Sequence, residues 1–121
     1  MTTLKQLKEL KKLLPDPVGY RILIAMPPEK EKTDGGIFFT EEQRSREATA
    51  SIIGYVMKLG PDAYQDKVKF PSGAWCKEGD WVMFRSYSGT RYKVKGQEFR
   101  HINDDTIDGV IIDPTLIERA F

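Results

Sequence analysis

The sequence predicts an all-β fold, a small irregular barrel preceded by one amphipathic helix. Three observations carry that prediction. Short runs rich in β-branched and aromatic residues recur between Gly, Pro and Asn-Asp punctuation, no helical periodicity with an apolar stripe follows residue 14, and 121 residues suit one compact domain.

Residues 3 to 14 place Leu4, Leu7, Leu10, Leu13 and Leu14 on one half of a helical wheel, with most lysines opposite and Pro15 and Pro17 as stops. The helix is short and lacks an aromatic anchor for a membrane, so it is expected to dock on its own barrel or on a neighbouring subunit. Residues 1–16 form this extension and 17–121 the barrel domain. Tyr20 to Met26 reads as the first strand, ended by Pro27-Pro28. From about 27 to 50 the chain is charged or polar except for Ile37-Phe38-Phe39, which follow the breaker Gly35-Gly36. Thr40-x-x-Gln43 has the form of a capping box, but a helix there would carry no apolar stripe. An unstructured loop of this length is uncommon in a compact domain and is usually functional or disordered.

Ser51 to Leu59 reads as the next strand, with Gly54 the expected site of a bulge and Gly60-Pro61 its end. Residues 62 to 80, with Pro71, Gly73 and Gly79, read as loop or short hairpin. Trp81 to Tyr87 is a strand, Arg91–Lys95 and Glu98–Ile102 form a hairpin around Gly96, Asn103-Asp104-Asp105 turns, and Ile107 to Ile112 closes the sheet.

Composition excludes several function classes. Nineteen basic and 18 acidic side chains leave a net charge of +1, so no global field draws nucleic acid or an anionic membrane. A hydrophobic share of 40% is enough for a core. No run approaches the length of a membrane span, and the N-terminus lacks the apolar stretch of a secretory signal, so a soluble, cytoplasmic protein is expected. One cysteine, Cys76, and one histidine, His101, supply neither a zinc set nor an activated nucleophile. Asp104, Asp105 and Asp108 lack the spacing of a calcium loop, and no phosphate-binding loop is present. No catalytic residue, metal ligand or cofactor is therefore assigned.

The ordered signals resemble the GroES co-chaperonin family over roughly residues 17 to 113. They are the strand Arg21-Ile22-Leu23-Ile24, then Gly35-Gly36-Ile37-Phe38-Phe39-Thr40, similar to the family's Gly-Gly-Ile-Val-Leu-Thr, then Gly54-Tyr55-Val56 with Gly60 after it. Gly79-Asp80-Trp81-Val82-Met83-Phe84, similar to Gly-Asp-x-Val-x-Phe, and the late strand from Asp108 to Ile112 complete the set. The resemblance implies a ring of seven subunits, each an irregular β-barrel with a mobile loop at about 27–50. It implies too that the loop's apolar tip docks on a GroEL-type chaperonin ring and that an unfolded client protein folds inside the capped chamber. Gly35, Gly36, Ile37, Phe38 and Phe39 are then the chaperonin-binding residues, and ATP is bound by the partner. Burying each of the three apolar side chains is worth about 1.5–3 kcal/mol, whereas ordering the loop costs about 1–2 kcal/mol per residue, so one loop binds weakly and a ring of them binds well.

The chain departs from the bacterial pattern in its N-terminal helix, in a longer stretch between Thr40 and Val56, and in residues 61 to 78, which do not resemble the bacterial roof hairpin. These departures are similar to the co-chaperonins encoded by tailed bacteriophages, for which the compartment is the host cytoplasm. Residues 61 to 75 are expected to project toward the dome or its opening, and the terminal strands and extra helix to make subunit contacts.

The competing class is an OB-type nucleic-acid barrel, since Trp75, Trp81, Phe84, Tyr87, Tyr92 and Phe99 lie among Arg85, Arg91, Lys93, Lys95 and Arg100. The preferred reading has the aromatics filling the barrel and the charges facing water. A barrel domain of a zinc-dependent alcohol dehydrogenase fails for want of the cysteine–histidine set and a dinucleotide fingerprint. A ring protein without chaperonin binding is the third reading.

Overall fold

The computed structural model describes residues 4–27 and 51–120. Within them a helix α1 (Leu4–Leu10) tightens into a 3-10 turn at Lys11–Leu13, and six strands follow. These are β1 (Arg21–Ala25), β2 (Ile53–Leu59), β3 (Trp81–Phe84), β4 (Thr90–Val94), β5 (Gln97–Asn103) and β6 (Ile107–Ile111). They form one antiparallel sheet in the order β4-β5-β1-β2-β3-β6.

The central strands are buried on both faces, which is why Ile22 to Met26 is a continuous apolar run and not an alternation. On one face Ile22, Ile24, Val56, Val82, Phe84, Ile102 and Ile107 pack with Ala63, Tyr64, Phe70 and Cys76 from the connection between β2 and β3. On the other, Leu23, Ala25, Met57 and Phe99 pack under Leu7 and Leu14. The expected helix thus docks on its own sheet. Lys58 fastens it, donating from Nζ to the Leu14 carbonyl at 3.2 Å and pairing with Asp16 at 2.8 Å. The tightening after Leu10 turns Leu13 outward, to 56% exposure, so Leu13 does not belong to the buried stripe the sequence suggested.

The β4–β5 hairpin closes through Lys95 and Gly96, at φ 49° and 81°, the two consecutive positive values of a two-residue hairpin turn. The bulge expected at Gly54 lies elsewhere. Leu23 pairs with Lys58 and Ile24 with Val56, so Met57 is the extra residue, and both Met57 and Lys58 turn toward the helix-covered face. Gly54 instead admits a close approach. A Cβ there would overlap Ile24 Cγ2 and stand 3.1 Å from Phe84 Cε1.

Residues 61–78 do not simply project. Ala63, Tyr64 and Phe70 are buried, with Tyr64 and Phe70 edge to face at 4.8 Å and Phe70 and Trp75 at 4.9 Å. The buried Asp104 carboxylate accepts the Tyr64 N–H at 3.0 Å, and Lys69 pairs with Asp105, so the turn after β5 holds the segment down.

Candidate functional site

Gly35, Gly36, Ile37, Phe38 and Phe39 lie outside the described residues, as does the capping box at Thr40 and Gln43. The structure does place the two roots of the segment that carries them. Ala25 and Tyr55 are register partners in the antiparallel β1–β2 pair, so residues 27–50 leave and re-enter the sheet on neighbouring strands. At the departing root, Met26 donates its N–H to the Glu98 carbonyl at 3.0 Å, and the buried Gln97 amide donates to the Met26 carbonyl at 2.6 Å. At the returning root, Phe84 N–H donates to the Ile52 carbonyl at 3.0 Å, and Arg119 Nη1 donates to Ser51 Oγ at 3.0 Å. Nothing in the sequence pattern singled out Gln97 or Arg119. The signal available was a glutamine at the first position after a two-residue turn.

Arg100, read as a solvent-facing charge, is 2% exposed, and this is a correction. Its register partner is Ile24, on the face shared with Phe84. Nη1 donates to the Ser86 carbonyl at 2.5 Å, Nε to Glu98 Oε2 at 3.4 Å, and the guanidinium lies 5.7 Å from the Phe84 ring centre. Burial pulls its pKa down and Glu98 opposes that; the guanidinium stays charged, and its burial is tolerated because it is paired and hydrogen-bonded. The aromatic reading is right for Phe84 and Phe99, which are buried, and for Tyr92 and Trp81 in part. It is wrong for Tyr87, 94% exposed on the β3–β4 turn, and for Trp75, whose ring is half open to solvent.

Cys76 and His101 belong to opposite faces of the sheet. The Cys76 thiol is buried against the Tyr64 hydroxyl at 3.3 Å, and burial pushes its pKa up, the wrong direction for a nucleophile. His101 Nε2 shares a 2.8 Å hydrogen bond with Tyr92 Oη, and burial, then the Arg21 charge, lower its pKa. His101 pairs in register with Leu23, on the helix-covered face, so the two cannot form a dyad. Among the described residues no three His, Cys, Asp or Glu side chains are grouped to hold a metal, and no helix is long and apolar enough to cross a membrane. A shallow groove between the segment that follows α1 and the two ends of the β2–β3 connection is lined by Lys11, Asp16, Lys58 and Glu78, whose charges are already spent on Lys11–Glu78 and Lys58–Asp16 pairs.

Comparison with known proteins places this arrangement. Residues 15–111 match the family model described as the chaperonin 10 Kd subunit. The co-chaperonin GroES of Desulfotalea psychrophila is 33% identical over 95 residues, covering 78% of this chain and 95% of that protein. The co-chaperonin GroES of Geotalea uraniireducens is 36% identical over 95 residues, covering 78% and 94%. That of Rhodothermus marinus is 26% identical over 95 residues, covering 78% and 89%. The matched span takes in all six strands and leaves α1 outside. The chain, an all-β protein with its long connection rooted between paired strands, belongs to the chaperonin 10 Kd subunit family, the GroES co-chaperonins.

Proposed function

We propose that the chain acts as a non-enzymatic co-chaperonin that caps a GroEL-type chaperonin ring through residues 27–50. Ile37, Phe38 and Phe39 make the apolar contact, and Gly35-Gly36 permit the bend that presents them. The observation that carries this reading is the family match together with the side-by-side roots of the segment on β1 and β2. A segment tethered at two neighbouring points can offer its middle to a partner without disturbing the sheet. The chain needs no cofactor of its own; ATP is bound and hydrolysed by the partner.

The weakness of one such contact calls for several on a single assembly, and we read the free protein as a homo-oligomer, with the ring of seven that the family resemblance implies. The β6 edge suits that role, since Val110 and Ile112 are exposed beside it, whereas the β4 edge carries Arg91 and Lys93. An unfolded client protein occupies the capped chamber.

The test is ATP-dependent complex formation with a bacterial chaperonin, read by native mass spectrometry. The wild type is expected to give a ring and a nucleotide-dependent complex, and an Ile37→Asp, Phe38→Asp double variant a ring without a complex. A wild-type monomer that binds no chaperonin would remove the proposal.

A further inference from the structure

Gln97 is a buried polar side chain, 4% exposed, at the first position of β5. Its Nε2 donates to the carbonyls of Met26, at 2.6 Å, and Glu98, at 2.9 Å. Both partners are acceptors only, so the amide has one workable orientation and both its hydrogens are used. Met26 is thereby held through both of its backbone groups, since its own N–H donates to the Glu98 carbonyl at 3.0 Å. Gln97 is placed by the two-residue Lys95–Gly96 turn directly before it, which leaves it little freedom to drift. The next residue, Pro27, has a fixed φ and no N–H, so a direction set at Met26 carries into it.

A core position at this edge would be filled as well by leucine or methionine, without the desolvation of an amide. What an apolar side chain could not do is hold the Met26 carbonyl. We propose that Gln97 is a positioning residue for chaperonin docking. It fixes Met26, the point at which the chain leaves β1 toward the docking segment, so that this residue does not have to be ordered when Ile37, Phe38 and Phe39 dock. The inference rests on the docking reading above and adds to it a residue outside the segment itself.

The experiment measures the affinity of the assembled protein for a chaperonin ring with ATP at 25 °C, where circular dichroism shows every variant folded. Gln97→Leu keeps the volume and removes the donor. Gln97→Asn is the gentler change, drawing the donor back by one methylene. Ile102→Val, a core change on the same strand, is the control for lost stability, and Ile37→Asp tests the docking reading. Freeing one further backbone residue per docking event corresponds to about fivefold weaker binding. The expected result is Gln97→Asn and Gln97→Leu weaker by about fivefold or more, Ile102→Val like wild type, and Ile37→Asp without binding. If Ile37→Asp abolishes binding while both Gln97 variants bind like wild type, with only their unfolding midpoints lowered, Gln97 is merely structural and the inference is overturned while docking stands. If the wild type does not bind, or Ile37→Asp binds as well as wild type, the docking reading falls and this inference with it.

Discussion

Truncating Leu7 to alanine tests whether α1 belongs to its own sheet. Leu7 is 6% exposed and packs in the cluster of Leu23, Ala25, Met57 and Phe99, whereas Leu13, in the 3-10 turn that continues α1, is 56% exposed. Leucine and alanine differ little in helix propensity, so the comparison isolates burial. A buried Leu→Ala change costs about 2–5 kcal/mol, the spread reflecting how far the site can collapse around the lost atoms. Here the helix lies at the periphery and can settle onto the sheet, so the lower end applies, about 2–3 kcal/mol, against less than about 0.5 kcal/mol for Leu13→Ala. Urea denaturation followed by tryptophan fluorescence reads both differences, and the shift should be the same at two protein concentrations, because the contact is within one chain. Equal costs for Leu7→Ala and Leu13→Ala would refute the helix register. A Leu7→Ala cost that grows on dilution would show that α1 packs on another subunit.

Gly54→Ala should destabilise by about 1–3 kcal/mol through overpacking against Ile24 and Phe84, while Gly109→Ala, whose Cβ meets nothing within 4 Å, should be near neutral in the same urea series. The Cys76 thiol should react with a disulfide reagent only as fast as the protein unfolds, since it is buried and its pKa is raised; rapid labelling of the native protein would contradict that placement. Asp16 has its pKa held below the usual 3.8 by its hydrogen bond to Lys58 and the charge of that lysine, so it favours folding above that value, and the benefit is lost as pH falls through the lower folded value. The stability gap between wild type and Asp16→Asn should therefore be present at pH 6 and close in stronger acid, as measured by urea melts across that range. Exchanging Phe38 for valine and Phe39 for leucine should weaken chaperonin binding in the capping assay, because less apolar surface is buried per docked segment; unchanged affinity would count against their role.

The strands were legible because their residues carry a two-state pattern, apolar and β-branched between strong breakers. β1, β2 and β5 each lie within a residue or two of the runs read from the sequence. What stayed illegible is what depends on the partner strand. The bulge at Met57 is a mismatch of β2 against β1, and a glycine in one strand does not report it. Arg100 looked like a surface charge because alternation was counted within β5 alone. Its burial is decided by Ile24 beside it, by Phe84 across the face and by the Ser86 carbonyl that takes its proton donor. The proposed contact residues were found by likeness to a family motif, and composition alone marked them only as apolar residues in a polar stretch.

The same logic explains why residues beyond the family match matter to this chain. A sheet whose central strands are apolar on both sides needs two covers. The connection from β2 to β3 supplies one, pinned by Asp104 and Lys69, and α1 supplies the other, pinned by Lys58. The span matched to the family begins at residue 15, so Leu7 reaches the sheet from outside it and Leu14 stands at its threshold. A chain cut to begin at residue 15 would keep all six strands and expose Leu23, Ala25, Met57 and Phe99 together. Such a truncation should bind a hydrophobic dye more strongly than the full chain and associate or precipitate at high concentration. If it instead stays dispersed, binds no more dye and caps the chaperonin as well as the full chain, the helix is not what keeps that face out of water.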